Sequence, residues 1–136
     1  MNDNSFFDTS IVIYAFCEDD RRNETARMLL ARGGLISVQA LNEFTAVARG
    51  KLAMSWADVS RALTAIRKLC LSPVALTLEI HDKALQIAER YGYHIYDSLV
   101  VAAALKSSCT VLYSEDMRDG QVIEGLTIRN PFPKVH

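Results

Sequence analysis

Short apolar runs alternate along the chain with longer segments of helical periodicity. The short runs each end at a polar or turn residue, and they predict β-strands over residues 5–8, 35–38, 74–77, 110–113 and 126–129. Between them, apolar residues recur every three or four positions, as they do on one face of a helix. This alternation predicts strands that are joined by helical crossovers.

Helical periodicity marks five of the longer segments. The first ends at Gly33 and the second near Gly50, and glycine favours the C-terminus of a helix. The third opens at Ser55, which resembles a capping box with the acid three residues later, and Pro73 blocks its continuation. The last two are predicted over residues 79–91 and 96–106. The final segment is apolar on almost every side, so we expect it to be largely buried.

Strands separated by helices pair in parallel, which predicts a layered α/β domain with helices on both faces of a sheet. With 136 residues, 50% of them apolar and 23% charged, the chain is expected to form a single domain over residues 1–136. Its three cysteines are far apart and are expected to be reduced thiols. No apolar run approaches the roughly 18 residues of a membrane span, so we expect no membrane contact and a cytoplasmic protein.

The net charge of −1 lacks the strongly basic signature of many nucleic-acid-binding proteins. Its distribution along the chain changes that picture. Residues 27–78 carry a net charge of +5, whereas residues 97–124 carry −3. The basic segment could contact a phosphate backbone, and the acidic segment could bind a cation, so that the two charges nearly cancel in the whole chain. A basic helix face is, however, more often simply solvated.

Four carboxylates are candidates for a common site. Asp8 ends the first predicted strand and Asp116 follows the fourth, and parallel strands deliver their carboxyl ends to the same edge of a sheet. Asp97 lies in the first turn of the apolar helix, and Glu43 lies at the margin of a buried helical stripe. Each has an ordinary explanation alone, as a turn, a cap or a surface acid. Gathered together they would repel one another, and oxygen-only ligands suit Mg²⁺ or Mn²⁺.

Four ordered blocks of sequence carry a family resemblance: FDTSIVIYA at residues 7–15, NEF at 42–44, YDSL at 96–99 and LYSEDM at 112–117. In order and spacing the chain resembles the PIN-domain ribonucleases, and among them the VapC-type toxins of type II toxin–antitoxin pairs. The resemblance implies a three-layer PIN-like fold, with a central parallel sheet of about five strands flanked by helices. It also implies an Mg²⁺- or Mn²⁺-dependent endoribonuclease with an RNA substrate, a small VapB-like antitoxin partner and a homodimer.

The resemblance also implies the residues of the site. The catalytic and metal-binding set carried over to this sequence is Asp8, Glu43, Asp97 and Asp116. Three further residues are implied in supporting roles: Ser10, where the family commonly has Asn, Ser114, and Asp119, for which a loop-surface role competes with a fifth acid.

The resemblance suggests that Asp8, Asp97 and Asp116 hold one or two ions while Glu43 binds a second ion or orients the attacking water. Hydrolysis by water would leave a 5′-phosphate, whereas attack by the RNA 2′-hydroxyl would leave a cyclic phosphate. Two other interpretations stay open: a metal-dependent phosphatase of small esters, and a non-catalytic RNA-binding module. The phosphatase is disfavoured because the usual partner aspartate two residues after the first is Ser10 here.

Overall fold

The structure is a computed structural model that describes residues 4–132, so residues 1–3 and 133–136 of the predicted domain lie outside it. Its strands are β1 Ser5–Phe7, β2 Val111–Tyr113, β3 Val122–Ile123 and β4 Leu126–Arg129. Its helices are α1 Thr9–Tyr14, α2 Asn23–Arg32, α3 Val38–Arg49, α4 Trp56–Leu69, α5 Leu78–Tyr91 and α6 Ile95–Lys106. Within the described residues, no helix is long and apolar enough to cross a membrane.

The four strands form one sheet in the order β1-β2-β4-β3. β1 pairs with β2 in parallel, with Phe7 opposite Tyr113, and β2 pairs with β4 in parallel. β3 is antiparallel to β4. The parallel core of the sheet agrees with the α/β prediction, and it brings the carboxyl ends of β1 and β2 to the same edge.

Consecutive residues of β1 face two different hydrophobic clusters. Phe7 packs with apolar residues of α1 to α4, whereas Phe6 packs with residues of α5 and α6. Both rings are almost completely buried, at 1% and 0% exposure. Since side chains of a strand alternate between its two faces, the sheet is the middle of three layers, as predicted.

Two of the predicted strands are reduced to single bridges. Segment 35–38 contributes a parallel bridge between Phe6 and Leu35, and segment 74–77 contributes one between Ser37 and Val74. The first run is cut short because the Ser37 hydroxyl accepts a hydrogen bond from the Ala40 amide at 3.2 Å and thereby caps α3. The observed sheet therefore has four strands rather than about five.

β3 was not predicted, because it consists of two residues. It reverses direction into β4 through Glu124 and Gly125, whose φ angles are both positive, at 48° and 89°. Two consecutive positive φ angles are typical of the tight turn of a two-residue hairpin, for which Asn-Gly is the usual sequence signal. Here Glu124 occupies the position where asparagine is usual, so the sequence did not indicate the turn.

Helix boundaries agree closely with the periodicity, apart from α1. α5 and α6 each begin one residue before the predicted start and end where predicted. α1 was missed because four of its six residues are β-branched and favour strands: Thr9, Ile11, Val12 and Ile13. It is initiated by Asp8, whose side chain accepts a hydrogen bond from the Thr9 amide.

Candidate active site

Asp8 lies at the carboxyl end of β1, where the strand passes into α1. Its Oδ1 accepts a hydrogen bond from the Thr9 amide at 2.7 Å, and its Oδ2 accepts one from the Ser114 hydroxyl at 2.8 Å. The residue is only 8% exposed. This burial raises the pKa of Asp8 to about 6, against the lowering effect of the two hydrogen bonds.

Ser114 connects two of the predicted acids through one hydroxyl. It is fully buried, and its Oγ donates to Asp8 while accepting a hydrogen bond from the Asp116 amide at 3.3 Å. Ser114 lies next to Asp8 because of the sheet register: Phe7 and Tyr113 are paired, and the residue after each of them emerges at the same edge of the sheet. Asp116 itself is exposed to solvent.

Asp97 and Glu43 reach the same region from two helices. Burial raises the pKa of Asp97, in the first turn of α6, and the negative charge of Asp116 raises it further. Glu43, on α3, accepts a hydrogen bond from the Thr9 hydroxyl at 3.3 Å. Burial also raises the pKa of Glu43, and the charge of Asp97 adds to the effect.

The four predicted acids therefore form one electrostatically coupled group. The charges of Asp97 and Asp116 both raise the pKa of Asp8, and Asp97 is coupled in turn to Asp116 and to Glu43. Such mutual repulsion is tolerated best where a cation neutralises it. Thr9 was not singled out from the sequence, although it touches two of the acids.

The four acids offer only oxygen ligands, which are the ligands that a hard divalent cation prefers. Across residues 4–132, no three His, Cys, Asp or Glu side chains are arranged closely enough to hold a metal ion on their own. Mg²⁺ commonly keeps several waters and binds through one or two carboxylates, so an open set of oxygen ligands suits it. The Ser10 hydroxyl adds a second observation: it is buried, and within the described part of the chain it has no hydrogen-bond partner. These residues fit a hydrated Mg²⁺ or Mn²⁺ ion.

Asp119 has a different environment from the other predicted acids. Its Oδ1 accepts a hydrogen bond from the Asn130 amide at 2.9 Å, and the side chain lies on an exposed loop. This contact joins the loop before β3 to the residue that follows β4. The geometry is that of a loop-stabilising residue.

Sequence reasoning missed a cluster beside the site. The Arg22 guanidinium forms ion pairs with Asp20 and with Glu115, the residue between Ser114 and Asp116. The Tyr14 hydroxyl also donates to Glu115, at 3.1 Å. No signal in one sequence links residues that lie 93 and 101 positions apart.

The comparisons with known proteins agree with this architecture. The family model of the PIN domain matches residues 5–121, which include all four coupled acids. The chain belongs to the PIN domain family. This confirms the family predicted from the four sequence blocks. No curated protein matches the chain.

Solved structures share the fold of this PIN domain at low sequence identity. A toxin–antitoxin complex from Klebsiella pneumoniae is similar with a TM-score of 0.72 and 18% identity, over 94% of this chain and 98% of that chain. A sarcin–ricin-loop-cleaving VapC toxin from Mycobacterium tuberculosis has a TM-score of 0.66 and 21% identity, over 82% and 91%. VapBC from Rickettsia felis, bound to a promoter DNA fragment, has a TM-score of 0.66 and 18% identity, over 93% of this chain and 97% of that chain. At these identities the likeness is one of fold.

Proposed function

We propose that this PIN domain is a metal-dependent endoribonuclease that acts as the toxin of a toxin–antitoxin pair. The observation that carries the proposal is the convergence of Asp8, Glu43, Asp97 and Asp116, whose charges are coupled at the edge of the sheet. Similar folds in a toxin that cleaves the sarcin–ricin loop and in toxin–antitoxin complexes support the choice of substrate and partner.

In this proposal Asp8, Asp97 and Asp116 would hold one or two Mg²⁺ or Mn²⁺ ions, directly or through water. A bound divalent ion supplies Lewis-acid stabilisation of the charge on the phosphate and lowers the pKa of water. Ser114 orients the Asp8 carboxylate through its 2.8 Å hydrogen bond. Ser10, two residues after Asp8, would add a hydroxyl that is buried and has no hydrogen-bond partner within residues 4–132.

Glu43 is the residue that we assign to the attacking water. Thr9 holds its Oε1 at 3.3 Å, which leaves the second carboxylate oxygen to accept a hydrogen bond from water. The raised pKa of Glu43 makes its carboxylate a better proton acceptor than an ordinary glutamate. Attack by this water on the phosphorus would transfer a proton from the water to Glu43 and break the P–O3′ bond. Once solvent protonates the leaving oxygen, the products are a 5′-phosphate and a 3′-hydroxyl.

An apolar groove between α2, α4 and the residues that follow α1 is the surface that we assign to the antitoxin. Its volume is about 440 Å³. Its apolar lining comes from Ala15, Phe16, Leu30, Ala31, Ile66 and Leu69. Arg27 and Glu18 also line it, so it presents apolar surface together with charges of both signs, as protein interfaces do. A Leu69→Glu substitution, at a groove residue that is 42% exposed, should abolish capture of the antitoxin while cleavage by the free chain persists. The homodimer stays a prediction, to be measured by light scattering.

The experiment is induction of the wild-type chain and of Asp8→Asn or Asp97→Asn, with growth and RNA cleavage measured together. We expect growth arrest and 5′-phosphate ends from the wild type only, and co-expression of the small protein encoded by an adjacent reading frame should restore growth. Circular dichroism checks that the variants are folded.

Folded variants that arrest growth as strongly as the wild type would refute the nuclease-toxin proposal. Cyclic phosphate ends would contradict the assignment of Glu43. Hydrolysis of small phosphate esters without RNA cleavage would favour a phosphatase.

A further inference from the structure

Tyr96 differs from the other tyrosines of the chain in its exposure. All five tyrosines lie within the described residues, and the ring of Tyr96 alone is mostly in solvent, at 58% exposure. Tyr14 and Tyr93 donate hydrogen bonds to other side chains through their hydroxyls, and Tyr113 stacks on Phe7. An aromatic ring that is left in water beside a polar site has contact surface to offer a ligand.

The exposed ring of Tyr96 forms a stacked pair with the imidazole of His94. The ring centroids lie 5.4 Å apart and the ring planes differ by 21°. His94 also caps α6, since its Nδ1 accepts a hydrogen bond from the Tyr96 amide at 3.3 Å. The cap requires only the backbone of Tyr96, so it does not explain the exposed ring.

The pair borders the coupled acids. Tyr96 immediately precedes Asp97, so their Cα atoms are about 3.8 Å apart. The His94 imidazole is also close enough to Asp97 to oppose, in part, the rise in the pKa of that carboxyl. The two rings therefore lie beside the first turn of α6, which carries Asp97.

We propose that His94 and Tyr96 form a stacking site for one unpaired nucleobase of the RNA, next to the phosphate that is cleaved. The inference rests on the proposed ribonuclease function and deepens it. Carboxylates repel the phosphates of the same substrate, so a contact to the neutral face of a base adds affinity where a contact to the backbone would not. Stacking is tolerant of base identity, since every base has a π-face. The site would therefore position the strand without selecting its sequence.

The test measures RNA binding apart from cleavage. The Asp8→Asn chain binds two fluorescein-labelled probes in Mg²⁺: an oligoadenylate, and an oligomer of the same length whose residues lack bases. We expect tighter binding of the oligoadenylate. A second substitution, Tyr96→Ala, should weaken oligoadenylate binding by about 5- to 150-fold and leave the abasic oligomer almost unaffected. Tyr96→Phe should retain the binding, because it keeps the ring.

Leu85→Ala, at an exposed apolar residue on α5, is the matched control and should change neither affinity. In the cleaving wild-type background, Tyr96→Ala should raise KM and leave kcat largely intact. If Tyr96→Ala binds both probes as its parent does, or if the parent does not prefer the oligoadenylate, the stacking site is refuted, and a protein partner becomes the better occupant. If base-dependent binding through Tyr96 is found without cleavage by the wild type, the stacking site stands and the ribonuclease proposal fails.

Discussion

Arg22 bridges both carboxylate oxygens of Glu115 through one guanidinium nitrogen, with Nη1 to oxygen distances of 2.6 and 2.9 Å. Its Nε and Nη2 atoms donate to the two oxygens of Asp20, each at 2.8 Å. The guanidinium also lies 3.8 Å from the centroid of the Tyr14 ring. Since Glu115 immediately precedes Asp116, this cluster ties the loop after α1 to the loop that carries one of the site's acids.

Replacement of Arg22 by methionine should lower the free energy of unfolding by about 2–3 kcal/mol, because two partly buried carboxylates lose hydrogen bonds to a charged group. Urea denaturation at pH 7 measures the change. Glu115→Gln and the double variant complete a cycle, in which we expect a coupling energy of about 1–2 kcal/mol. A methionine variant within about 0.5 kcal/mol of the wild type would show that the cluster contributes little.

The raised pKa of Asp8 has a consequence for stability in the absence of metal. The folded state holds the proton up to a pH of about 6, whereas the unfolded chain releases it near 3.8. Stability contributed by the protonated form is therefore lost as the pH rises from about 4 to about 6. In EDTA, Asp8→Asn should be about 3 kcal/mol more stable than the wild type at pH 7 and equal to it at pH 3.5.

Thermal melts across this pH range test the expectation, with Asp82→Asn, at an exposed residue of α5, as the control. The difference in stability between this control and the wild type should not grow between pH 3.5 and pH 7. A constant difference between Asp8→Asn and the wild type from pH 3.5 to 7 would contradict the assigned titration.

Ser114→Ala should shift the acid limb of the cleavage profile to higher pH. The serine hydroxyl donates to Asp8 and lowers the pKa of that carboxyl, so its loss allows the pKa to rise further. The rate of RNA cleavage between pH 5 and 8 measures the shift. Ser5→Ala, at another buried serine, controls for the change in packing and should leave the limb in place. An unshifted limb in Ser114→Ala would argue against Asp8 as the titrating group.

Divalent ions should raise the melting temperature of the wild type, since a ligand that binds only the folded state stabilises it by mass action. The increase should be smaller for Asp97→Asn and smaller at pH 5 than at pH 8, because protonated Asp8 is a poor ligand. Titration with Mn²⁺ and with Mg²⁺ tests this. Equal increases in the wild type and in Asp97→Asn would remove Asp97 from the metal site.

Gly34 keeps the first strand in place by its lack of a side chain. A Cβ atom there would lie 2.6 Å from Cε2 of Phe7 and 3.0 Å from the carbonyl oxygen of Ser5. Gly34→Ala should therefore destabilise the fold by about 1–3 kcal/mol. Gly50→Ala serves as the comparison and should destabilise the fold less, because a Cβ atom there has a single close contact, at 3.1 Å from the carbonyl oxygen of Ala46. Urea melts that rank the two variants in the opposite order would contradict this packing argument.

The sequence allowed the parallel architecture and the acids to be predicted because both depend on local signals. Helix stops such as Gly92 lie at the residues expected, and Asp8 follows directly from the end of a strand. The short strand β3 was not predicted because it depends on the geometry of the turn at Glu124 and Gly125. Helix α1 was not predicted because its start depends on the Asp8 cap and its β-branched residues favour a strand. The Arg22 cluster escaped because its partners meet only in the folded chain.

The hydrogen bond between Ser114 and Asp8 joins residues that are 106 positions apart. During synthesis, Asp8 leaves the ribosome long before its partner, and β2 cannot pair with β1 until residue 113 has emerged. An incomplete nascent chain therefore lacks the assembled acid cluster, however well its N-terminal helices have formed. The order of the strands along the chain delays the appearance of a complete site until β2 and the loop that carries Asp116 have been synthesised.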